Sequence, residues 1–79
     1  MDLYSKIEGA SSKTDFIEIL TLLKKDFIEN KEMWENRTVD EYLDAIISWI
    51  EDYSGQDVNF EHPDWKTISA LFYMGKIYE

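Results

Sequence analysis

Carboxylates are the side chains most able to do chemistry in this sequence. From Thr38 through Trp65 there are eight acids in 28 residues, Asp40, Glu41, Asp44, Glu51, Asp52, Asp57, Glu61 and Asp64, and no Lys or Arg. Acids crowded without counter-charge can hold a hard cation, move protons, or attract a cationic partner. The first option has a candidate in Asp57-x-Asn59-x-Glu61, three oxygen ligands at alternate positions, as in the opening of a calcium loop. An EF-hand counted from Asp57 needs Gly at its sixth position and Glu at its twelfth, where this chain has His62 and Ile68. No metal or other cofactor is therefore expected. Catalysis lacks its parts as well. His62 is the one histidine, and the chain has no Cys, no G-x-S-x-G and no Gly-rich phosphate loop. Glu51 and Asp52 are neighbours in sequence, so on a helix they diverge rather than converge on one substrate atom. The expectation is a protein that is not an enzyme.

The third option remains. Asp44, Glu51, Asp52 and Tyr53, with Asp57 and Glu61 in the segment that follows, form a candidate docking surface for a basic protein. Its field would steer encounter and raise the on-rate. A solvated face kept acidic for solubility has the same composition. Aromatic residues add to the docking reading, because Trp49, Tyr53, Phe60, Trp65 and Tyr73 exceed what helices of this size need to hide. Tyr and Trp are also common at binding hot spots.

The elements that must carry these residues are helices. Leu3, Tyr4 and Ile7 share a face of a short first helix that Gly9 stops and that lies over the core as a lid. Ser12 with Asp15 supplies a cap for a helix over about 13–30. Phe16, Ile19, Leu20, Leu23 and Phe27 form its apolar stripe, widened by Ile17 and Ile28. Trp34 sits in a polar connection and is expected to fold back onto the core. Thr38-Val39-Asp40-Glu41 is a capping box opening a helix over about 39–53. Tyr42, Leu43, Ile46, Ile50 and Tyr53 are its expected buried face, with Val39, Ile47 and Trp49 at the margins and Glu41, Asp44, Ser48, Glu51 and Asp52 opposite. Residues 54–62 are turn formers, with Val58 and Phe60 in a short extended piece. Pro63 at the first helical position and Asp64 beside it open a last helix over about 63–78, whose core face is Trp65, Ile68, Leu71, Phe72 and Gly75. Ser69 and Gly75 are small enough for a neighbouring helix to come close. The expected fold is all-α, a single domain of three main helices plus a short N-terminal one. Its core is Phe16, Leu20, Leu23, Phe27, Tyr42, Leu43, Ile46, Ile50, Ile68 and Phe72.

Composition narrows the partner. The 79 residues carry a net charge of −9, of which residues 41–79 hold the larger part. Nucleic acid and anionic membrane are disfavoured, since phosphate binding depends on Lys and Arg. The absence of Cys excludes a disulfide scaffold and fits a reducing compartment. The start Met1-Asp2-Leu3-Tyr4-Ser5-Lys6 has no signal-peptide pattern, and no run is apolar enough for a membrane span, so the expected location is cytoplasmic. A monomer or a homodimer is open, as are a self-associating structural or regulatory domain and a small-ligand or metal-binding module.

At Trp34-Glu35-Asn36-x-Thr38-x-x-x-Tyr42-Leu43-x-Ala45-x-x-x-Trp49-x-x-Asp52, then Trp65 and Ile77-Tyr78-Glu79, the chain resembles a family of short bacterial proteins classed as a domain of unknown function. The resemblance runs from about Phe16 to Glu79. It implies a compact helical fold with Trp34, Trp49 and Trp65 as structural anchors, and it implies no activity. Where that family's last helix carries alanines, this chain has Ser69 and Gly75. In size, acidity and helical plan the chain is also similar to the immunity proteins that neutralise bacterial nuclease toxins, although their tyrosine-containing motif is absent. That likeness implies an inhibitor or immunity role.

Overall fold

Each of the three longer helices begins at a side-chain cap. In the computed structural model, which describes residues 3–53 and 60–78, the order is α1 (Leu3–Glu8), α2 (Lys13–Asn30), a 3-10 turn (Lys31–Met33), α3 (Val39–Asp52) and α4 (Trp65–Ile77). The Ser12 hydroxyl accepts from the Asp15 backbone N–H at 3.1 Å, and the Asp15 carboxylate in turn accepts from the Ser11 N–H at 3.0 Å. Thr38 accepts from the Glu41 N–H at 3.4 Å, while Glu41 reaches back to the Arg37 N–H at 3.3 Å. The bonds to Ser12 and Thr38 satisfy amides that the first helical turn cannot pair internally, and those to Asp15 and Glu41 tie down the residue before each cap.

The last helix starts later than the sequence suggests. Asp64, not Pro63, is the boundary: its carboxylate accepts from the Thr67 N–H at 2.8 Å, which places Pro63 just outside the helix. A carboxylate that bonds a free amide is a better cap than a ring that merely lacks one.

α4 is the hub, touching α1, α2 and α3, whereas α3 packs on α4 alone among the described helices. Positions on α4 that face several neighbours must be small, and Ser69 and Gly75 are buried there. The α2 and α3 backbones stay apart. Trp34 fills the space between them, its ring 5.0 Å from that of Phe27 and 6.1 Å from that of Tyr42. Ile7, Ala10, Ile19, Leu23 and Trp34 form the buried cluster, so α1 does close over the core and Trp34 does fold back onto it.

The core differs from the expected one on α3. Leu43 and Ile50 are exposed, and the buried position is Ala45, flanked by half-buried Tyr42, Ile46 and Trp49. The helix is turned because its contact is centred on small residues. The Tyr42 ring lies against Gly75 so closely that a Cβ there would sit 2.5 Å from Cε1, and the Tyr42 hydroxyl donates to the Phe72 carbonyl at 2.6 Å. Seating the Tyr42 ring on Gly75 and burying Ala45 outweighs covering two larger aliphatic side chains farther round the helix. On α2, Ile17 and Ile28 are likewise exposed rather than part of the buried stripe.

The Trp34-Glu35-Asn36 segment is fastened to the end of α4. The Glu35 N–H donates to the Lys76 carbonyl at 3.1 Å, and the Asn36 amide donates to the carbonyls of Gly75 at 3.0 Å and Tyr78 at 2.8 Å. Beneath it, Asp26 accepts from the Trp34 indole N–H at 2.8 Å, from Asn30 at 3.1 Å and from Lys76 at 2.7 Å. Partial burial opposes ionisation of Asp26, but the donors from Lys76, Trp34 and Asn30 outweigh it and hold its carboxyl below the usual range.

Candidate protein-docking surface

α3 has three sectors. One is the covered side, with Ala45 buried and Tyr42, Ile46 and Trp49 half-buried; Tyr42 lies on α4 at Gly75 and Phe72, and Trp49 on Tyr53 and Phe60. At about 100° per residue, Asp40, Asp44 and Glu51 fall close to one line along the helix, with Ser48, Glu41 and Asp52 next to it farther round. All five of these acids are exposed, and among the described residues none forms an ion pair with Lys, Arg or His. The third sector is apolar and uncovered: Val39 is 76% exposed, Leu43 51%, Ile47 53% and Ile50 38%. These four positions fall within about 80° of one another, in a row directly beside Asp40, Asp44 and Glu51.

The acidic sector divides. Glu41, Asp44, Ala45 and Ser48 line one side of a shallow cleft of about 240 Å³, whose other side is Asn36 and Tyr78 at the end of α4. Asp52 accepts from the Tyr78 hydroxyl at 2.6 Å, and that bond to a carboxylate raises the phenol's pKa. Asp40 is held below the usual carboxylate range by the Thr38 hydroxyl and the Glu41 N–H, so it stays charged. Glu51 does not line this cleft; at about 100° per residue its position falls between the cleft and the apolar row.

Of the residues singled out in the sequence, Asp44, Glu51 and Asp52 thus share α3 but not one line. Tyr53 is half-buried in an aromatic cluster, its ring 5.3 Å from Trp49 and 5.6 Å from Phe60. Glu61 is exposed beyond that cluster. Asp57 lies outside the described residues, as do Asn59 of the calcium-like pattern and Val58 of the extended piece. Among the described residues no group of three or more His, Asp or Glu is placed to hold a metal ion. Trp65 packs on Phe16 at 5.6 Å, so Trp34, Trp49 and Trp65 each hold a different contact. No described helix is long and apolar enough to cross a membrane.

The row Val39, Leu43, Ile47 and Ile50 is what the sequence reading missed, having placed these residues in the core or at its margin. A signal was present. The apolar residues of α3 cover an arc of about 200°, twice what one neighbouring helix requires. An open cleft of about 560 Å³ between α1, α2 and α4 is less suited to a ligand, because Lys76 and Asp26 on its wall already satisfy each other.

A family model described as a family of unknown function (DUF7660) matches residues 12–79, in agreement with the resemblance to a domain of unknown function. No curated protein and no solved structure matches.

Proposed function

We propose that this chain, which belongs to the DUF7660 family of unknown function, is a non-enzymatic protein-binding domain that docks a basic protein through the outer surface of α3. The observation that supports this reading is the coincidence on one helix of five exposed acids that form no ion pair among the described residues and an uncovered apolar row. Acids alone would serve solubility, but aliphatic side chains left in water do not. An inhibitor or immunity protein acting on a basic enzyme is one form of such a binder. The chain would act as steering charge and apolar anchor, with no covalent step.

The test is affinity capture from the source cells with the native chain and with an Asp44→Lys/Glu51→Lys/Asp52→Lys variant, followed by binding at rising salt. A basic partner lost with the variant, and weakened by salt, is expected. A neutral or acidic partner, or one that the reversed surface retains, would overturn the proposal.

A further inference from the structure

We infer that the partner's contacting element is an amphipathic helix. Its apolar seam lies along Val39, Leu43, Ile47 and Ile50, and its Lys or Arg residues run along the flank that faces Asp40, Asp44 and Glu51. This inference rests on the basic-partner reading and adds the shape and register of what is bound.

The row has the spacing of a helix–helix seam. Its members are four, four and three residues apart, which keeps them on one side through three turns, a length of about 16 Å at 1.5 Å per residue. A partner helix presents a matching ridge at the same pitch, and this is how amphipathic helices are recognised elsewhere. An extended peptide has no purchase here, because the described residues include no strand whose edge it could extend.

Charge selects the occupant. One border of the row is acidic, with Asp40, Asp44 and Glu51 along it, while at its Val39 end the row opens on a cleft lined by Phe27, Trp34, Tyr42 and Arg37, so a bound helix meets the row's negative charge along one side. A second copy of this chain fits poorly. In an antiparallel pair of α3 helices each flank meets its own counterpart, which sets Asp40, Asp44 and Glu51 of one copy beside the same acids of the other. Two chains of net charge −9 also repel at longer range. A cationic flank converts both penalties into attraction, and the apolar seam supplies the affinity that screened surface charges do not.

Three synthetic 18-residue peptides test this by fluorescence anisotropy: an amphipathic helix with a Leu seam and a Lys flank, the same helix with a Glu flank, and a Lys peptide of identical composition shuffled to destroy the seam. Binding of the first at least about tenfold tighter than either control is expected, since burying one large aliphatic side chain is worth a factor of about ten or more. Methyl shifts should concentrate on Val39, Leu43, Ile47 and Ile50. Leu43→Ser/Ile47→Ser should weaken binding by at least about tenfold while the circular dichroism is unchanged. Equal binding of the shuffled peptide would overturn the helix seat and leave the basic-partner reading standing. Equal binding of the Glu-flanked helix would remove the charge matching. A concentration-dependent dimer that Leu43→Ser/Ile47→Ser dissolves would give the face to a second copy. Failure of all three peptides would also sink the inference, while capture with the charge-reversed chain would still decide the reading beneath it.

Discussion

Replacing Gly75 by alanine sets two terms of opposite sign against each other. In a helix interior alanine is better than glycine by about 1 kcal/mol, because glycine loses more backbone entropy on folding. Here the new methyl would lie 2.5 Å from Cε1 of Tyr42 and 2.7 Å from both Cδ1 and Cζ, closer than carbon atoms tolerate. The ring cannot step aside without cost: its hydroxyl is bonded to the Phe72 carbonyl at 2.6 Å and its face stacks on Trp34 at 6.1 Å. Overpacking of this kind costs about 1–3 kcal/mol, and losing the hydroxyl bond adds about 1 kcal/mol. After the propensity gain, Gly75→Ala should destabilise by about 1–3 kcal/mol, a large share of what a domain of this size has. Urea unfolding followed by tryptophan fluorescence and circular dichroism measures it. The decisive comparison is the same substitution in a Tyr42→Ala background, with both pairs measured in sucrose so that the weaker proteins stay folded. With the ring gone the methyl has room, and Gly75→Ala should then stabilise by about 0.5–1 kcal/mol. If the substitution stabilises the native protein, or destabilises both backgrounds alike, the close approach of α3 to α4 is not set by this contact.

Three further outcomes follow from the same packing. Ser69 is fully buried and its hydroxyl has no described hydrogen-bond partner, so Ser69→Ala should leave stability unchanged or raise it by about 1 kcal/mol; a loss in urea titration would reveal a partner for that oxygen. Asp26 has its pKa lowered in the fold, so its contribution is present above the unfolded value near 3.8 and disappears as pH falls through the lower folded value. Asp26→Asn should therefore lower stability at neutral pH and flatten the acid limb of the stability profile, and an unchanged acid limb would contradict the network with Lys76 and Trp34. Burial pushes the Tyr42 phenol up to about 12 from 10.0, so its contribution is complete below pH 10 and is lost as pH rises from there toward 12. Ultraviolet titration should show a tyrosine in that high range that Tyr42→Phe removes.

Local signals placed the helices well. The Ser12 and Thr38 caps mark where α2 and α3 begin because a capping bond spans three residues, and the 3.6-residue apolar period of α2 includes Ile19 and Leu23, which are buried. Contacts between distant segments left no such trace. Asn36 bonds carbonyls at Gly75 and Tyr78, and nothing in the neighbourhood of Asn36 announces those partners. Asp26 lies beside two lysines in sequence, yet its ion pair is with Lys76 on another helix. Both follow from how the 31–38 connection lies against the end of α4, which is a property of the assembled bundle.

The exposed apolar row on α3 is not distinguishable from a core stripe in the sequence, for a physical reason. A stripe of Val, Leu and Ile at helical spacing has the same pattern whether it faces a core or a partner, because both are apolar surfaces that present ridges at one pitch. What separates the two cases is which side of the helix carries the small residues. Gly75 on α4 admits the Tyr42 ring of α3, and that contact, with Ala45 buried on the same side, fixes the rotation of α3. Once Ala45 faces inward, Leu43 and Ile47 must face outward, and the acids at Asp40, Asp44 and Glu51 become their border. Packing demanded at one small contact thus leaves the apolar row uncovered and puts uncompensated charge beside it, the pairing of features that a cationic amphipathic helix complements.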